Sequence, residues 1–156
     1  MSETAMPGTL RGLQIIHRAL LMGQLIFAAV VLLLRYSDAF PPPLSNMDKS
    51  MQVLAILLSL TGFFTGSSIF KKKIQQVMVG FPDIKTKAAA YRSACIIQWA
   101  LLEGPSLFCI ICFLLVGNYA YLALLAALMF AFALTAPAKL KAMLLLQINE
   151  EDMERF

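Results

Sequence analysis

Glu103 is the residue whose setting first points to chemistry. It stands within Ser93 to Asn118, SACIIQWALLEGPSLFCIICFLLVGN, a stretch with no other charge. That stretch is long enough to cross a bilayer, for which about 20 apolar residues suffice. An ionised acid near the centre of such a span costs about 2.5 to 3.5 kcal/mol on insertion scales, so the side chain requires a partner, a proton or a bound ion. Gly104 and Pro105 follow directly. Proline has no N–H, which leaves the Leu101 carbonyl without its helical donor and predicts a bend beside the acid. If the second and third spans form an antiparallel hairpin, counting in from the inner boundary sets Glu103 level with Leu60, Thr61 and Gly62. Ser59, Thr61, Gly62 and Ser106 are then the candidate supporting residues of a proton site, or of a cation site where enough oxygens converge. The expected resting form is the neutral acid. The competing reading is structural: a neutral Glu103 that only hydrogen-bonds across helices, worth about 0.6 and at most near 2 kcal/mol.

The remaining reactive residue types point away from catalysis. On an ideal helix Glu103 shares its face with Ile96, Trp99, Ala100, Ser106, Leu107 and Ile110. Cys109 and Cys112 make a C-x-x-C pattern, but both lie in an apolar run with Cys95. No second Cys/His pair completes a zinc site, so these cysteines read as small packing residues. His17, the sole histidine, sits beside Arg18 near a span boundary, where an interfacial role is expected rather than metal binding or general-base catalysis. There is no phosphate-binding glycine loop, no nucleophile with a base and no paired carboxylates. Neither enzymatic activity nor a cofactor or metal is expected.

The elements that must position Glu103 are apolar helices. The chain is 60% hydrophobic and 14% charged, against about a quarter charged in soluble domains. One all-α polytopic membrane domain, 1–156, is expected, with four spans at about 13–34, 51–70, 93–118 and 119–138 and a basic loop at 71–92. No segment is left for a soluble catalytic domain. Pro41 to Pro43 suit a stiff connection between the first two spans. A signal peptide cleaved near Ser37 to Ala39 is a weaker reading of the first apolar run. In the second span Ala55, Ser59, Gly62 and Gly66 set small residues on one face, which lets another helix approach closely. The helix is expected to run on through Gln75 and Gln76, and Asp83 or Thr86 to cap the next. Beyond Pro137, Leu140, Met143, Leu144 and Ile148 recur at helical spacing, giving a short helical extension or an amphipathic surface segment.

Charge sets the expected orientation. Of thirteen Lys and Arg residues, all but Arg35 and Lys49 fall on the side of the 71–92 loop. Both termini are therefore expected to be cytoplasmic in a cell inner or plasma membrane. The net charge of +4 comes from residues beside span ends that meet lipid phosphates, which argues against nucleic acid as a partner. The expected partners are the lipid bilayer and, within it, further copies or a larger membrane complex.

The segment Lys85 to Asn118, KTKAAAYRSACIIQWALLEGPSLFCIICFLLVGN, resembles the second helix of the rotor-ring proteolipid, subunit c, of rotary ATP synthases. It shares a basic, small-residue approach, a single mid-helix acid and an apolar continuation to a terminal Asn. The second span, through Ser59, Gly62 and Gly66, is loosely similar to that family's glycine-rich first helix. In the family the acid reversibly binds H+ or Na+ as the ring turns, and the resemblance implies that role for Glu103. The family's fuller alternating-glycine pattern is absent, and spans before and after the hairpin depart from its two-helix form.

Overall fold

The computed structural model describes residues 9–37, 41–79 and 83–151, and among them there are helices and no strand. The helices are α1 (Thr9–Tyr36), α2 (Asp48–Met78), α3 (Ile84–Val116), α4 (Ala120–Leu134) and α5 (Lys139–Leu146), with a 3-10 turn at Ser45–Met47. In a medium without water each backbone donor and acceptor must be met within its own segment, so long apolar runs fold as helices. Leu10–Tyr36, Asp48–Met78 and Ile84–Val116 are each long and apolar enough to cross a membrane. A fourth crossing requires α4 and α5 to act as one span across a 67° bend. At 1.5 Å per residue the 15 residues of α4 reach about 22 Å, short of the ~30 Å hydrocarbon core. The uninterrupted run expected at 119–138 thus breaks after Leu134. Pro137 cannot donate to Ala133 and disfavours helical geometry at Ala136.

The other helices are longer than the runs read as spans. α2 has 31 residues and α3 has 33, about 46 and 50 Å, so the hairpin overshoots an apolar core at its basic end. α2 continues through Lys71 to Lys73, and α3 starts nine residues before Ser93. Of the two capping candidates it is Asp83 that caps α3: its carboxylate accepts from the Thr86 N–H at 3.3 Å and from the Thr86 hydroxyl. Those bonds, the hydroxyl's foremost, hold the Asp83 carboxyl below its usual range. At the far end α3 stops at Gly117, whose φ of 81° suits a residue without Cβ; its N–H reaches the Phe113 carbonyl at 2.9 Å. The turn expected at Gly80 to Pro82, and most of the cleavage signature at Ser37 to Ala39, lie outside the described residues.

α3 is the central helix, with α2, α1 and α4 packed around it. α2 buries a narrow stripe, Ala55, Ser59, Gly62 and Gly66, followed by Ile74. Gly62 is where α2 and α3 come closest. A Cβ there would collide with the Leu101 carbonyl oxygen and lie 3.0 Å from Pro105 Cγ. The carbonyl stripped of its donor by Pro105 is thereby covered by the backbone of α2. α1 runs parallel to α3: the His17 and Trp99 rings meet at 5.1 Å, and a Cβ on Gly117 would lie 2.6 Å from Arg35 Nη2. Both contacts keep one register, which sets Gln24 level with Ser106 and Val31 level with Phe113. All four of these residues are buried.

Polar contacts close both ends of the bundle. At one end Asp48 accepts from Asn118 Nδ2 at 2.7 Å, from the Tyr121 hydroxyl at 3.2 Å and from Gln52 Nε2 at 3.2 Å. Tyr121 is buried, and this acid satisfies its hydroxyl inside the bundle. At the basic end Lys73 Nζ donates to Ser93 Oγ at 2.9 Å. Lys87 Nζ donates to the Leu146 carbonyl at 3.0 Å, capping α5. α5 turns Ala142 and Leu146 inward and leaves Leu140 and Leu144 exposed. Of the expected stripe, Leu140 and Leu144 thus face outward, whereas Met143 is half-buried and Ile148 buried.

Candidate functional site

Glu103 lies on the edge of α3's buried face. Of the residues that ideal helix geometry places beside it, Trp99, Ser106 and Ile110 are buried, Ile96 and Ala100 are exposed, and Leu107 and Glu103 itself are half-buried. Gly104, next to it, is exposed, and a Cβ there would meet nothing within 4 Å. The acid thus sits where the bundle ends and its surroundings begin, close to the Gly62 crossing.

The four candidate supporting residues do not converge on it. Gly62 is at the expected level, but its backbone faces Leu101 and Pro105. Ser59 Oγ donates to the Ala55 carbonyl at 2.6 Å and Ser106 Oγ to the Leu102 carbonyl at 2.9 Å, so both hydroxyl protons are used within their own helices. Thr61 is exposed. Among the described residues the Glu103 carboxyl makes no hydrogen bond and no ion pair. Cys95, Cys109 and Cys112 are buried free thiols. No group of three or more His, Cys, Asp or Glu side chains that could hold a metal occurs among the described residues.

A second polar row lies on α1. His17, read from the sequence as interfacial, is buried: its ring stacks on Phe132 at 4.7 Å and meets Trp99 edge-on at 5.1 Å. A carbonyl only accepts, so Nε2–H donates to the Phe132 carbonyl, at 3.0 Å. The Thr135 N–H and hydroxyl reach that same oxygen, at 3.0 and 2.6 Å. One turn earlier Gln14 Nε2 donates to the Pro137 carbonyl at 3.0 Å. α1 therefore supplies donors to the carbonyls freed at the α4–α5 break, which is why His17 is drawn inward. Further along, Gln24 is 1% exposed, and among the described residues neither its amide oxygen nor its nitrogen has a hydrogen-bond partner; the equally buried Trp99 Nε1 also has none among them. The signal for this row was the seven-residue recurrence of His17, Gln24 and Val31, the seam of a parallel helix pair. Comparison of the chain with protein-family models, with curated proteins and with solved structures finds no match.

Proposed function

We propose that this chain is a noncatalytic integral membrane protein that carries a proton on Glu103, acting within a homo-oligomer or a larger membrane complex. In this reading the α4–α5 pair forms a fourth, broken span and both termini lie on the basic, cytoplasmic side. One observation carries the proposal: Glu103 is half-buried on an apolar helix and has no hydrogen bond or ion pair among the described residues. In lipid an unpaired carboxylate is costly, and uptake of a proton removes that cost without any partner. A proton fits better than a metal cation, because a cation such as Ca2+ takes six or more oxygens and the hydroxyls of Ser59 and Ser106 are turned to their own helices. The likeness of Lys85 to Asn118 to the rotor-ring proteolipid supports the same role.

The alternative is a membrane scaffold in which Glu103 serves helix association alone. Its partner then lies outside the described residues, as a group on another chain would. Infrared difference spectra of lipid-reconstituted protein test the proposal. A protonated-carboxyl band that titrates with bulk pH and is missing from Glu103→Gln, with assembly retained, is the expected result. A carboxyl ionised throughout, or one that never exchanges its proton, would refute it.

A further inference from the structure

The α1–α3 seam holds buried polar atoms that the role of Glu103 does not use. Gln24 is 1% exposed, with its Oε1 and Nε2 both lacking a hydrogen-bond partner among the described residues; Trp99 is 1% exposed, with its indole N–H in the same state. The two lie on one seam. His17 on α1 meets Trp99 on α3, and seven residues further along both helices Gln24 comes level with Ser106. Ser106 is fully buried and gives its proton to Leu102, which leaves oxygen lone pairs able to accept. A buried amide in lipid has no solvent to turn to, so native structures meet such groups with protein or with ordered water.

We infer that the seam between α1 and α3 is a water-binding site, with one hydration point at the Gln24 amide beside Ser106 and a second at the Trp99 indole N–H beside His17. The donor set selects water over other occupants. The Gln24 amide requires a species that both donates and accepts, the indole requires an acceptor, and the Ser106 oxygen requires a donor. Water does all three. A metal cation is disfavoured because the side-chain oxygens of Gln24, Ser59 and Ser106 are too few to complete its shell, and Glu103, though at this depth, stands on the flank of α3 rather than in the seam. An apolar lipid tail satisfies none of these atoms. Polar groups then follow one another along α1 from the carbonyls at the α4–α5 break, bound by Gln14 and His17, to the middle of the bundle. This hydration does not depend on the chemistry of Glu103.

Water-edited solid-state NMR of the full chain in lipid tests it. The chain has one tryptophan, so its indole signal needs no assignment, and Gln24→Met identifies the Gln24 amide by its disappearance. The expected result is magnetisation transfer from water to both the Gln24 side-chain amide and the Trp99 indole. Its absence from either, while the exposed amides of Gln75 and Gln76 receive it, overturns the inference. Thermal unfolding of Gln24→Met gives a second reading from an independent direction. A dry site predicts a higher midpoint, since an unsatisfied amide has been removed, and that rise overturns the inference; a hydrated site predicts an unchanged or lower midpoint. Transfer that persists in Glu103→Gln is also expected, and its loss there overturns the independence claimed from the acid.

Discussion

Adding a single methyl group at Gly62 tests whether α2 seals the carbonyl that Pro105 leaves open. The Cβ of Gly62→Ala would collide with the Leu101 carbonyl oxygen and press on Pro105 Cγ at 3.0 Å. One obstacle is backbone and the other a ring, so neither can swing aside, and relief requires the two helices to part. Overpacking of this kind costs about 1 to 3 kcal/mol. Replacing a helical glycine by alanine gains about 1 kcal/mol in propensity, which blurs the measurement on a single variant. Gly104→Ala removes that ambiguity: it carries a similar propensity gain into open space, with nothing within 4 Å. The difference in unfolding free energy between the two variants is therefore about 1 to 3 kcal/mol, with Gly62→Ala the less stable. Denaturant titration of both in the same mixed micelles, followed by circular dichroism, measures it. Gly66→Ala, whose Cβ would lie 3.4 Å from the Gln98 carbonyl oxygen, should fall between them. Equal stability of Gly62→Ala and Gly104→Ala would refute the close crossing.

Removing the Asp48 carboxylate takes away the acceptor shared by Asn118, Tyr121 and Gln52. Asp48→Ala should cost about 1.5 to 3 kcal/mol, and a double-mutant cycle with Asn118→Ala should give a coupling of at least about 0.5 kcal/mol. His17→Phe keeps a ring against Phe132 and Trp99 but loses the bond to the Phe132 carbonyl; about 1 kcal/mol of stability should go, with His17→Ala costing more. Asp83 has its carboxyl held below the usual range by Thr86, so its capping contribution is present above the unfolded-state value near pH 4. That contribution is lost as pH falls through the lower folded value. Protection of the first-turn amides of α3, taken relative to their intrinsic exchange rate at each pH, should fall in acid, and in Asp83→Asn that acid dependence should flatten.

Apolar runs and their flanking charges made α1, α2 and α3 legible in the sequence, since length and hydropathy are what a membrane demands. The stripe of Ala55, Ser59, Gly62 and Gly66 was legible for a related reason: small residues at helical spacing have one physical use, close approach. The α4–α5 bend was not. Pro137 marked an end to the fourth run, but helical geometry failed two residues earlier, where Thr135 turns back onto Phe132. That break in turn hid the burial of His17, because a histidine beside Arg18 reads as interfacial until a distant carbonyl needs its proton. Gln24 escaped notice because its partner helix is set by tertiary register, although its heptad spacing from His17 and Val31 was present. At Glu103 the level was legible and the surroundings were not. Ser59 and Ser106 share its depth, yet their hydroxyls bond within their own helices.

Polar groups along these helices differ in how they are met, and the difference separates structure from chemistry. Ser59, Ser106 and Thr135 close on carbonyls of their own segments; Gln14, His17, Asn118 and Tyr121 reach across the bundle. Gln24 and Trp99 do neither, but an amide and an indole keep one charge state throughout the accessible pH range, so solvation is all they require. Glu103 combines an unmet polar group, among the described residues, with a charge that can change, and it stands on the flank rather than in the seam. Under the proposed function its protonation would respond to whatever that flank of α3 meets, whether lipid, a cationic partner or water. The bundle fixes which flank of α3 carries the carboxyl, and on the proposed reading its neighbour on that flank sets its charge.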